Sequence, residues 1–143
     1  MTKLAQRGDL AGVAALLATA NLCHDDLTTQ HLAHFLVLRE DHELIGAVGL
    51  EAYGSNALLR SLIVSPDHRG NGLGIQLVDG IEAHAHEYGV TSLYLLTTTA
   101  DRFFDRHGYE RIKRSSVPKA IGDTTEFMSF CPESAVCMRK TLS

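Results

Sequence analysis

Three glycines at every second position, Gly70, Gly72 and Gly74, with Arg69 just ahead of them, are the residues of this chain best suited to holding a ligand. They follow an apolar run, Leu62-Ile63-Val64, and a turn at Ser65-Pro66, and they lead into a helical pattern. Glycines there keep side chains away from the main chain, so a diphosphate could approach Gly70, Asn71, Gly72, Leu73, Gly74 and Ile75 closely. The unpaired amides of a first helical turn and the positive end of its dipole favour an anion. An ordinary strand-to-helix turn is the plainer account of the same glycines.

Two common phosphate-binding patterns do not fit. A G-x-G-x-x-G fingerprint begun at Gly70 needs a third glycine where Ile75 stands. A P-loop needs Gly-Lys-Ser/Thr after four intervening residues, but positions 75, 77 and 79 hold Ile75, Leu77 and Asp79. What remains is Arg69-x-x-Gly72-x-Gly74.

Other reactive side chains are scattered. Arg60 and Ser61 interrupt an apolar strand, where a lone guanidinium is costly. Arg60 therefore either leaves the sheet at an edge or meets an acidic partner, a carboxylate on a bound substrate held through its bidentate fork or an internal Glu. The eight histidines form no metal-ligand pattern: His31 and His34 have helical spacing without companions, and His84 and His86 point apart on one helix. Cys23, Cys131 and Cys137 form no CxxC and are expected to be small buried hydrophobes, so no metal is assigned.

The elements that would position these residues can be traced from pattern. A short strand near 3–6 precedes a helix from Leu10, capped by Asp9, with Val13, Leu16, Leu17 and Ala20 on its face. Asp26 to His31 reads as a short helix. Strands follow at Phe35–Arg39, Leu44–Ala52 and Ala57–Val64, with turns at Asp41-His42 and Tyr53-Gly54-Ser55. A helix from Gly72 to Tyr88 carries Leu77, Val78, Ile81, Ala85 and Tyr88 on one face and ends at Gly89. Then come strand Ser92–Thr97, helix Ala100–Arg106, strand Tyr109–Ile112, and a tail leading to a strand near Ala135–Lys140. This order gives a mixed α/β fold.

The bulk numbers are consistent with a single domain over residues 1–143: 45% apolar, 21% charged, net charge −4. The negative charge argues against nucleic-acid binding, and no apolar run reaches the roughly 20 residues of a membrane span. The first residues do not read as a signal peptide, and the odd cysteine count suits a reduced setting, so a cytoplasmic location is expected. A local surplus of positive charge between Asp101 and Lys119 is either a solvated face or an attractor of anionic ligands.

The Arg69-x-x-Gly72-x-Gly74 pattern after an apolar strand resembles the acetyl-coenzyme A loop of the GNAT family of N-acetyltransferases. The segment from Ala100 to Glu110 is similar to that family's Ala-x-x-Phe-Tyr-x-x-x-Gly-Phe stretch beside the thiol end of the cofactor. The resemblance implies a mixed, mostly antiparallel sheet with helices on both faces and a splayed central strand pair. It further implies acetyl-CoA as donor, its pyrophosphate on residues 70–75, its pantetheine arm along Leu62, Ile63 and Val64, and Phe104 near the thiol. A small amine is then the acceptor. Homodimers are common in the family. One position departs: Phe104 stands where a proton-donating Tyr is frequent, leaving Tyr109, Tyr94 or water to protonate the thiolate.

Acetyl transfer also needs a group to take the amine's proton. Glu51, on the strand expected beside 57–64, is the first candidate, and Glu126 the second. Short matches at Gly49-Leu50-Glu51, Leu59-Arg60-Ser61-Leu62, Leu95 to Ala100, Thr125-Glu126-Phe127 and Cys131 to Ala135 resemble small acetyltransferases encoded with arsenic-resistance operons. That resemblance implies an amino acid or a toxic glutamate analogue as acceptor, with Arg60 and Ser61 contacting it. A non-catalytic acyl-CoA-binding or sensing module is the alternative, motivated by Phe104.

Overall fold

The computed structural model describes residues 3–20, 26–125, 127–128 and 135–142. Seven strands are arranged in the order β1-β2-β3-β4-β5-β7-β6. They are β1 (Lys3–Leu4), β2 (Phe35–Glu40), β3 (Glu43–Tyr53), β4 (Asn56–Val64), β5 (Ser92–Thr97), β6 (Glu110–Ile112) and β7 (Val136–Thr141). The helices are α1 (Leu10–Ala18), α2 (Leu73–Glu87), α3 (Asp101–Arg106) and α4 (Lys119–Gly122). β1, β2 and β3 pair antiparallel, as do β5 with β7 and β6 with β7. The parallel pair is β4 with β5, registered from Asn56↔Ser92 to Leu58↔Tyr94. Among the described residues no helix is long and apolar enough to cross a membrane.

The chain falls into two compact units. The first comprises residues 1–51 and 60–84. Its core joins Val13 and Leu17 of α1 to Leu32, Phe35, Val37, Ala47 and Ile63. The β2–β3 hairpin closes through Asp41 and His42, both with positive φ, the geometry whose twist matches paired strands. Leu77 of α2 packs where Gly46 leaves room: a Cβ on Gly46 would lie 3.1 Å from Leu77. Leu77, Val78, Ile81 and Ala85 are buried at the expected helical spacing. Tyr88, expected on that face, is exposed, because the helix ends at Glu87 and the chain turns through Gly89 at φ +79°.

The second unit comprises residues 52–59 and 85–143. Leu58, Tyr94, Ile121, Phe127 and Cys137 form its apolar cluster. Phe104 and Tyr109 are buried edge to face, ring centroids 5.1 Å apart. Ion pairs cross the surface of this unit. Arg111 bridges Asp101 and Asp105, Lys119 pairs with Asp123, and Arg139 with Glu110.

Three local expectations are corrected. Residues 26–30 form turns rather than a helix, and a 3-10 turn follows at His31–His34. There Thr28 and His31 are joined twice: His31 Nδ1 accepts the Thr28 amide at 3.0 Å, and the His31 amide donates to the Thr28 carbonyl at 3.1 Å. Asp9 does not cap α1: its carboxylate accepts from the Gln6 amide and from Arg39. The tail, read without a helix, contains α4.

Phe35 lies across Gly49, its registered partner on β3, and a Cβ there would land on the ring. Gly49→Ala is expected to destabilise the protein by about 1–3 kcal/mol, because the aromatic ring is fully buried and cannot step aside. A urea midpoint equal to that of the wild type would contradict this packing.

Candidate active site

The glycine segment adopts the geometry that its composition suggests. Pro66–His68 make a 3-10 turn, anchored by the Ser65 amide on the Ile45 carbonyl at 2.7 Å. Arg69 is extended and its Nε donates to the Val64 carbonyl at 3.2 Å, folding the side chain back on β4. Gly70 and Gly72 then take φ of +84° and +76°, a region L-residues adopt only with strain. Open space surrounds the position a Cβ would occupy at each. The Gln76 amide donates to the Gly72 carbonyl at 3.1 Å, the first bond of α2. The amides of Leu73, Gly74 and Ile75 therefore belong to the first turn, at the positive end of the helix. Arg69, Gly70, Asn71, Gly72 and Ile75 are exposed, with Leu73 and Gly74 half-buried. The segment thus presents main chain clear of side chains just ahead of α2.

The second cluster forms around Arg60. Its side chain is 0% exposed, against 10% for Asp26 and 11% for Glu51. Nη1 donates to Asp26 Oδ2 at 2.5 Å and to Glu51 Oε2 at 2.8 Å, Nη2 to Asp26 Oδ1 at 2.7 Å, and Nε to Ser61 Oγ at 3.0 Å. Of the two partners the sequence left open for Arg60, an internal acid is the one present. Such burial is sustainable because two carboxylates and a hydroxyl meet the guanidinium directly. Ser61 has φ +62°, a left-handed residue inside a strand, and its hydroxyl faces Arg60 rather than solvent.

Burial, the largest single influence, would raise the Asp26 carboxyl. The hydrogen bonds and charge of Arg60, with His31 adding, together outweigh it and hold Asp26 below the usual carboxylate range. Asp26, His31 and Glu51 offer ligand atoms within 4.8 Å of one another, a spacing open to a metal. The Arg60 guanidinium, bound to both carboxylates, already supplies positive charge there.

Of the predicted site residues, Glu51, Arg60, Ser61, Leu62, Ile63, Val64 and the segment 69–75 all lie in the first unit. Phe104 and Tyr109 lie in the second, buried against each other, with Lys140 Nζ 5.5 Å from the centre of the Tyr109 ring. Tyr94 is buried in the second unit's apolar cluster. Glu126, Cys23 and Cys131 fall outside the described residues. Burial pushes the Cys137 thiol up to about 11, with Arg114 opposing weakly, so it stays protonated at neutral pH. Sequence reasoning missed Asp26, whose only signal was an acid in a polar stretch needing a distant partner. It also missed the pairing of His34 with His84, Nδ1 to Nε2 at 3.1 Å, which joins residues fifty apart.

The Asp26–Arg60 pair makes a pH-dependent contribution to stability. Because folding holds Asp26 below its unfolded value, that contribution is full above about pH 4 and is lost as pH falls through the lower folded value. Asp26→Asn should therefore unfold at lower urea than the wild type at pH 7, and the gap should close as pH drops below about 4. A gap that stays constant with pH would contradict the pairing.

The family model described as an acetyltransferase (GNAT) domain matches residues 31–111. An N-acetyltransferase of Chlorobaculum tepidum, itself uncharacterised, is 34% identical over 119 residues, covering 79% of this chain and 74% of its own length. The amino-acid acetyltransferase of Ralstonia nicotianae is 28% identical over 80% of this chain, which spans only 25% of that enzyme. The fold matches N-acetylglutamate synthase from Neisseria gonorrhoeae, complexed with coenzyme A and N-acetyl-glutamate, with a TM-score of 0.88 at 21% identity. It covers all of this chain and 35% of that one. A Mycobacterium tuberculosis protein in complex with coenzyme A matches over 100% of this chain and 99% of its own, with a TM-score of 0.84 at 19% identity. The glycine cradle, the strand that leads into it and the extent of these matches agree: the chain belongs to the GNAT family of N-acetyltransferases.

Proposed function

We propose that the chain moves the acetyl group of acetyl-CoA onto the primary amine of a small, amino-acid-like acceptor. The observation that carries the donor half is the pair of left-handed glycines, 70 and 72, with open space at both Cβ positions ahead of the first turn of α2. That geometry suits a pyrophosphate on the amides of residues 70–75. Leu62, Ile63 and Val64 offer their main chain to the pantetheine arm. Names among the relatives support the acceptor half, since several are amino-acid acetyltransferases, although this chain spans about a quarter of their length.

The reaction needs little from the protein beyond placement and proton transfer. The neutral amine nitrogen attacks the thioester carbonyl carbon, and main-chain N–H groups near Ile63 polarise the carbonyl oxygen. The carbon–sulfur bond then breaks and coenzyme A leaves as a thiolate. Glu51, directly or through one water, accepts the proton lost by the amine. Tyr109 is the candidate donor to the thiolate, in the role that Phe104 cannot fill. The buried Arg60 acts on Glu51 and Asp26 rather than on the acceptor's carboxylate, and an acceptor's carboxylate is left to other groups.

Calorimetry with acetyl-CoA tests the donor half. Gly72→Val should weaken binding at least about tenfold, or about 1.4 kcal/mol. Gly54→Val places the same strain on a hairpin turn, where Gly54 has φ +66°, and should leave binding unchanged. Equal affinities for all three proteins would remove the cradle from the cofactor site. Thiol release across amino acids and phosphorus- or arsenic-containing glutamate analogues tests the acceptor. With the best of these, Glu51→Gln should lower kcat by about 10²-fold or more and abolish the acidic limb of the pH profile. An unchanged profile would take Glu51 out of the base role.

A further inference from the structure

Glu51 does not meet Arg60 alone. Asp26, from the segment between α1 and β2, grips the guanidinium with both carboxylate oxygens, at 2.5 and 2.7 Å. Glu51 shares Nη1 with it through a single bond of 2.8 Å. A bidentate grip fixes the plane of the guanidinium, and that plane fixes where the second Nη1 hydrogen points. Four groups meet here: Asp26, His31 from the 3-10 turn, Glu51 from β3 and Arg60 from β4. The Thr28 amide donates to His31 Nδ1 at 3.0 Å and so orients that ring. Two carboxylates, from Asp26 and Glu51, thus meet the same guanidinium.

We propose that Asp26 is a positioning residue for the transfer reaction: through Arg60 it sets where the Glu51 carboxylate sits and how readily it accepts a proton. The inference rests on Glu51 as the base, and it adds a second carboxylate that competes for the same cation. A carboxylate that held Arg60 by itself would be a weaker proton acceptor, while one facing Asp26 without Arg60 would be a stronger one. Opposite substitutions in the cluster should therefore move the reaction in opposite directions, which loss of packing alone would not do.

The test compares wild type, Asp26→Asn, Asp26→Glu and Arg60→Gln. In Asp26→Asn the acidic limb of kcat/KM for the acceptor should move down by about 0.5 to 1 pH unit, with the KM for acetyl-CoA unchanged. In Arg60→Gln it should move up by about 1 pH unit, and Asp26→Glu should restore the wild-type limb. The carboxyl carbon-13 signal of Glu51, followed against pH, reads the same change without turnover. It keeps the test decisive if Arg60→Gln does not fold, since Asp26→Asn alone must then move that signal. A Glu51 signal that titrates identically in wild type and Asp26→Asn overturns the proposal, as does a limb that moves the same way in both charge-removing variants. If wild type binds acetyl-CoA yet acetylates no amine, the function proposed above fails, while the carbon-13 titration still decides whether Asp26 governs Glu51.

Discussion

A guanidinium with no exposure to water must find its counter-charges inside the protein, and much of the first unit is arranged to supply them to Arg60. Burying the cation without partners would cost several kcal/mol. Meeting it takes Asp26 from the turn segment, Glu51 from β3 and the Ser61 hydroxyl from β4 itself. Three stretches distant in sequence are thereby tied at one point, through bonds that are directional. The same point holds the Glu51 carboxylate. A purely apolar core there could be as stable, but it would not hold a carboxylate in a defined orientation beside a fixed charge.

The anion cradle obeys a different constraint, one of backbone rather than of charge. Two left-handed residues within three positions let the chain turn from β4 into α2 while keeping that surface clear of side chains. Arg69 folds back onto the Val64 carbonyl, and Ser65 ties the turn to Ile45 of β3. The loop is thus anchored at its entry by hydrogen bonds and at its exit by the buried face of α2.

The cradle was the part most legible in the amino-acid sequence, because glycine spacing and the strand-to-helix change are local signals. The long elements were legible for the same reason: Ser92–Thr97 is a short continuous apolar run, and the body of α2 repeats its apolar residues at helical spacing. Asp26 was not, since nothing local distinguishes an acid bound to a residue thirty-four positions away from one in water. The helix expected at Asp26–His31 gives way to a turn in which the His31 ring accepts the Thr28 amide and the His31 amide donates to the Thr28 carbonyl. Arg60 was half legible: that it had to reach a sheet edge or an acid was plain, but which of these it does depends on a tertiary contact. Asp9 shows the reverse error, in which a good local capping residue is drawn to Arg39 instead.

Ser61 carries one more consequence. A regular strand can slide past its neighbour by two residues and still present the same faces, which makes slippage an available error during folding. Here the pleat is interrupted at a single left-handed residue, with the buried cation immediately before it. A slid alignment would carry the kink to a place that cannot absorb it and would pull the guanidinium off both acids. The irregularity acts as a notch that allows β4 one alignment only.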